Sequence, residues 1–294
     1  MKPARPLAFK QVREEGFTLT ELLVVMVTVG ILGVLLLPLL AGTKPSSQAF
    51  QCLENQRQMV LAWQMYSDDN GSKIAPNAPQ GTGPGGPATL PTPSNQPCWV
   101  AGVMQLPPAG SSTESTNTAM LIDHVQYPNG AFLGPYIKTA NPFKCPTDQS
   151  VSVIYGHKFP RCRSISMNNF LGSPAQAINS GAKSPYAVYP KVSGLKSAAL
   201  TFVFLDERED SINDGVFFTS VDNLSNIIDI PANRHNSAAG FSFADGHTEM
   251  HQWISADLRV PIQPTPINNM PVNAANQSDA DWLCQHAIGA NNFP

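Results

Sequence analysis

Charge is what this chain has least of. Lys, Arg, Asp and Glu make up 13% of it, about half of the ~25% usual in globular proteins. The balance is slightly acidic, a formal −3, so the basic footprint that phosphate backbones require is missing and no nucleic-acid partner is expected. No serine sits in a Gly-x-Ser-x-Gly elbow and no glycine pattern matches a Walker loop, which removes the two commonest local signatures of hydrolases and nucleotide-binding proteins. No catalytic set emerges, and the chain is not expected to be an enzyme.

Long apolar runs are also absent, with one exception. Leu22 to Leu40 carries no charge, and between Phe17 and Leu40 the lone ionisable side chain is Glu21. A run of about 20 apolar residues is what a helix needs to cross a bilayer. The run is too long for a secretory signal, whose apolar region spans about 7 to 15 residues ahead of a small-residue cleavage site. Here the small residue, Gly16, precedes the run. Lys2, Arg5, Lys10 and Arg13 precede it too, which predicts a leader that starts on the cytoplasmic side.

The stretch Gly16-Phe17-Thr18-Leu19-Thr20-Glu21-Leu22-Leu23 resembles the processing site of type IV pilins and type II secretion pseudopilins. The resemblance implies that a prepilin peptidase cuts after Gly16 and methylates the new amine of Phe17. It also implies that Glu21 serves assembly, with Gly30 and Pro38 as the helix-weakening residues of such proteins. Losing the leader takes away four basic and two acidic residues and moves the formal charge from −3 to −5.

A second resemblance lies further on. His235 is followed by nine residues and then Asp245-Gly246, which resembles the H-X9-DG signature of prepilin-type proteins. Cys52-Leu53-Glu54-Asn55-Gln56-Arg57-Gln58, Phe143-Lys144-Cys145-Pro146-Thr147-Asp148, Arg163-Ser164-Ile165-Ser166-Met167-Asn168 and Phe241-Ser242-Phe243-Ala244-Asp245-Gly246-His247 fit the same pattern. Together these imply a prepilin-type membrane protein, a subunit of a type IV pilus or a type II secretion pseudopilus. Its partners would be the prepilin peptidase, copies of itself or other pilins, and the bacterial inner membrane, crossed once with the head extracytoplasmic. The alternative is a membrane-tethered binding or metal-dependent head that uses the signal for processing alone.

The expected fold is α+β. Residues 1–16 form the leader, 17–43 a transmembrane helix, 44–70 a spine helix and 71–294 the head, with a Pro/Gly-rich loop at 74–117. Phe50, Leu53, Val60 and Leu61, widened by Met59, Trp63 and Tyr66, recur at helical spacing. Spine and span together would run about 75 Å at ~1.5 Å per residue. Pro45 and the long loop depart from the pilin pattern at the junction between helix and head. Leu200 to Leu205 reads as a buried strand, with Val216 to Ser220 as its antiparallel neighbour. Gly240 to Ala244, Asp245-Gly246 and His247 to Trp253 read as a hairpin with a type I′ turn. Short helical turns are expected within 118–125 and 130–138, a strand at 163–168 and a short helix near 279–286.

Two groups are candidate ligands, and the cysteines are a separate set, read as disulfide or thiol. His247, Glu249 and His251 alternate along a strand, with His235 and Asp245 as possible neighbours. The bland reading, a polar exposed face, is favoured over a metal site. Asp206, Glu207, Glu209, Asp210, Asp214 and Asp222 crowd a turn, of which Asp206, Asp210 and Asp214 are the calcium candidates. Their spacing is not that of an EF-hand, and a solvated acidic turn is the favoured reading. Finally, Cys52, Cys98, Cys145, Cys162 and Cys284 are odd in number, so at least one thiol stays unpaired. Ten different single bridges can be drawn among them. If one is chosen it is Cys52 with Cys145, tying spine to head; buried free thiols are the competing outcome.

Overall fold

The computed structural model describes residues 18–41, 44–78, 97–104, 113–172, 188–221, 225–267 and 269–290, with the side chains of 32–47 left out. The leader, Gly16, Phe17, Asp222 and most of the 74–117 loop lie outside the described residues. The chain divides into two compact units, Met1–Pro45 and Ser46–Pro294.

The first unit contains one described helix, α1 (Leu19–Ala41). Thr18 and Glu21 close its first turn reciprocally. The Thr18 N–H and hydroxyl both donate to Glu21 Oε2 at 2.8 Å, and the Glu21 N–H donates to Thr18 Oγ1 at 3.4 Å. This is a capping box, in which two otherwise orphaned backbone donors are satisfied.

The expectation of one long N-terminal helix is corrected here. α1 ends at Ala41 and a separate helix, α2 (Lys44–Asp69), begins at Lys44. Among the described residues no helix is long and apolar enough to cross a membrane. The transmembrane segment at 17–43 is therefore withdrawn, along with the single-pass placement in the inner membrane that depended on it.

The second unit is built around a five-stranded sheet of order β5-β3-β4-β7-β8. Its strands are β3 (Ile165–Asn168), β4 (Phe202–Asp206), β5 (Val216–Phe217), β7 (Ala238–Phe243) and β8 (Thr248–Gln252). Small antiparallel pairs, β1 (Val151–Ile154) with β2 (His157–Pro160) and β6 (Asn226–Ile227) with β9 (Met270–Pro271), lie outside it. Two short helices, α3 (Ala119–Ile122) and α4 (Gly134–Ile137), precede the sheet, and α5 (Gln277–Ile288) follows it.

β4 and β7 are buried along their whole length because both faces of the sheet are covered. On one side Met59, Val60 and Trp63 of α2 pack with Trp99, Phe143, Ile165, Val203 and Phe204. On the other, Leu283, Ala287 and Ile288 of α5 pack with Phe202, Leu205, Phe241 and Trp253. Burial on both faces explains why β4 reads as a continuous apolar run. Asn168, fully buried, joins three elements by donating to the carbonyls of Phe202 (2.9 Å) and Ala287 (2.8 Å).

Three local expectations change. β5 does not pair with β4; it lies parallel to β3, with Met167 opposite Val216. The β7–β8 hairpin forms as expected, but of Asp245 and Gly246 only the glycine takes positive φ, +96°. Phe243 N–H donates to His247 O across Ala244, Asp245 and Gly246, so the connection is a three-residue loop with glycine in the left-handed position, not a type I′ turn. On α2, Phe50 (70%) and Leu61 (44%) are exposed while Gln56 is fully buried. Gln56 Nε2 donates to the Gly240 carbonyl (3.3 Å), and Ser242 Oγ donates to Gln56 Oε1 (3.2 Å). A buried amide with both ends satisfied replaces an apolar contact.

A candidate thiol and imidazole site

Cys52, Cys145 and His235 meet in the second unit, their ligand atoms all within 4.8 Å of one another. Cys52 faces inward from α2 toward β7, where an added Cβ on Gly240 would lie 3.3 Å from its Sγ. One turn along, Asn55 Nδ2 donates to the Lys144 carbonyl at 3.0 Å, which holds the loop bearing Cys145 against the helix. The Cys145 N–H donates to Ser164 Oγ (2.9 Å), and that hydroxyl donates to Asp206 Oδ1 (2.6 Å).

His235 enters from the turn ahead of β7. Asn236 and Ser237, which follow it, both take left-handed φ, +55° and +63°, a conformation that non-glycine residues keep only where their surroundings enforce it. His235 Nε2 lies 3.1 Å from Cys145 Sγ, and Thr147 Oγ1 lies 3.0 Å from the same sulfur. Both cysteines are buried free thiols, while His235 is partly exposed.

The electrostatics separate the two sulfurs. A hydrogen bond from Cys52 is the largest cause holding the Cys145 thiol down, to about 4; His235, Thr147 and the Arg234 charge add to it against burial. Cys52 moves the other way, first through that same hydrogen bond and then through burial. The pair is thus polarised, one thiol eased toward ionisation and its neighbour held away from it.

Arg234 is the buried cation beside them. It forms ion pairs with Asp206 (2.8 Å), Asp148 (3.5 Å) and Glu209 (3.6 Å). Burial works against its charge, but Asp206 and Asp148 outweigh that and hold its pKa up. Asp148 is held down by Arg234 and Lys144 in spite of burial.

The calcium candidates are not brought together as one oxygen cage. Asp206 receives Ser164 and Arg234. Asp210 receives Arg208 through two bonds, 2.8 and 2.6 Å, and the Gln263 N–H at 2.7 Å. Asp214 receives the Val216 N–H at 2.7 Å. Asp206, Glu207, Asp210 and Asp214 are all buried, so this stretch is an internal set of acceptors and not the solvated acidic turn that the sequence suggested.

Nor is the His247, Glu249 and His251 strand a bare polar face. His247 Nδ1 lies 2.6 Å from Asp245 Oδ1, and its ring stacks on Phe243 at 4.3 Å. His251 stacks on Trp282 of α5 at 3.6 Å, and Trp282 on His286 at 4.1 Å.

His235 and Asp245-Gly246, with nine residues between them, stand at opposite ends of β7. The histidine reaches the cysteines, and the Asp-Gly pair makes the hairpin loop. The sequence offered Cys52–Cys145 as one disulfide among ten, with buried free thiols as the competing outcome, and the structure has free thiols; His235 stood as a separate signature, and the convergence of the three with Arg234 and Asp206 was missed. Comparison with known proteins returns no similar family, curated protein or solved structure.

Proposed function

We propose that this chain is a prepilin-type subunit, cut after Gly16 by a prepilin peptidase and assembled through α1 into a filament of the type IV pilus or pseudopilus kind. The observation that supports the reading most is the coincidence of Gly16-Phe17 with a capped apolar helix that starts at once. Leu19, Leu22, Leu23, Val24, Val25, Met26, Val27, Val29 and Ile31 are all exposed, Leu19 by 81% and Val25, the least, by 48%. Apolar surface of this extent on a helix is stabilised by contact with other apolar surface, and the same helix on further copies of the chain supplies it.

Mass spectrometry of the protein from its native host tests the processing step. The expected N-terminus is N-methylated Phe17. An intact Met1, or a first residue beyond Leu40, would overturn the assignment.

A further inference from the structure

We propose that Cys52, Cys145 and His235 form a zinc site, binding one Zn(II) through two sulfurs and the His235 Nε2. The site uses none of the residues of the processing signal, so it stands or falls separately from the filament reading.

Donor chemistry comes first. Two sulfurs and one imidazole nitrogen suit a borderline-soft ion, whereas calcium and magnesium take oxygen. In a tetrahedral site with bonds of about 2.3 Å to sulfur and ~2.0 Å to nitrogen, ligand atoms lie roughly 3 to 4 Å apart. The three atoms here already fall within 4.8 Å, with the sulfur of Cys145 and the nitrogen of His235 at 3.1 Å. Little movement is needed to admit the ion.

Charge is the second consideration. Two thiolates and a neutral imidazole balance Zn(II), and binding releases whatever protons the three ligands carry. No electron moves. Arg234 would repel a second cation, but Asp206, Asp148 and Glu209 surround it and cancel its field at short range. Thr147 and the Ser164 to Asp206 chain hold the Cys145 segment from behind, the outer support that orients metal ligands.

The third consideration is the open position. No fourth histidine, cysteine or carboxylate joins the group among the described residues, and three protein ligands with one free position are the arrangement of an exchangeable or reactive zinc, not of a closed structural one. His235 is half-buried as a residue while all three ligand atoms are buried, so the ion and its fourth ligand reach them past the His235 side chain. The competing outcome is a Cys52–Cys145 disulfide, which would leave His235 facing an oxidised sulfur with nothing to hold.

The full-length chain, reduced and stripped of metal, is titrated with ZnCl2 and separately with CoCl2. The expected result is one tightly held zinc per chain after dialysis, a raised melting temperature, and a thiolate-to-cobalt charge-transfer absorption in the near ultraviolet. His235→Asn, at a partly exposed position, keeps the fold; it should weaken zinc binding by more than the ~10 to 100-fold that loss of an outer partner of a metal ligand costs. Cys145→Ser should remove the cobalt band, and its circular dichroism shows whether it has folded. Cys162→Ser, outside the group, should bind as the parent does. Failure of the reduced chain to retain zinc, binding unchanged in His235→Asn, a cobalt spectrum without the thiolate band, or a Cys52–Cys145 disulfide that forms equally fast with zinc present would each overturn the proposal.

Discussion

Glu21 shows how one side chain can be read two ways. In the sequence it is the odd acid of an apolar run, in need of a counter-charge. In the structure its carboxylate closes the first turn of α1 against Thr18, and hydrogen bonds from the Thr18 backbone and then its hydroxyl lower its pKa. Glutamine fills the same place in a capping box, so Glu21→Gln separates the cap from the charge. The filament reading expects the Glu21→Gln protein to be cleaved at Gly16 and its head to fold, yet to assemble poorly, because the neutral amide cannot meet the Phe17 ammonium of a neighbouring copy. Normal filament yield by electron microscopy would reject charge pairing and leave capping as the role of Glu21.

At the scale of elements, α5 against β8 is a contact sensitive to acid. His251 stacks on Trp282 and meets Trp253 edge-on, and burial pushes its pKa down to about 4, with Asp279 opposing and His286 adding to the shift. His286 is itself held down, chiefly by burial. A folded state that refuses a proton which the unfolded chain accepts is fully stable above the unfolded value of about 6.5 and loses stability as pH falls toward 4. Because His251 is partly exposed, solvent screening reduces the effect to about 1 to 2 kcal/mol. Urea midpoints at pH 7 and pH 5 should therefore differ, and His251→Phe, which keeps the stack, should shrink the difference. An equal pH dependence in the variant would place the sensitivity elsewhere.

Elements whose signals are local were legible in the sequence. The hairpin at Asp245-Gly246, the buried strand at β4, the turns at α3 and α4, and α5 were all readable from alternation and turn residues. What failed was partner choice. β5 joined β3 rather than β4, and α2 buried Gln56 while exposing Phe50, because hydrogen-bond partners on β7 decided which face turned inward. Helical spacing names a stripe of residues but not the surface it will meet.

For the molecule as a whole, the second unit begins at Ser46 and contains the sheet, both its covering layers and the thiol site. A fragment of residues 46–294 should fold alone and unfold in one cooperative transition, since the second unit carries both apolar clusters that cover its sheet. Aggregation of the fragment under every condition in which the full chain is well behaved would move the boundary.

The sequence by itself determined the Gly16-Phe17 pair, the apolar run behind it and the mixed α+β character, because each depends on neighbours along the chain. Tertiary structure alone decided that Cys52, Cys145 and His235 share one point, that Arg234 is neutralised beside them, and that the Asp206 to Asp214 stretch is interior. Cys145 and His235 are 90 positions apart, and no local pattern encodes a contact at that separation. It arises when α2, the Cys145 loop and the turn before β7 are all drawn onto one sheet by burial of their apolar neighbours.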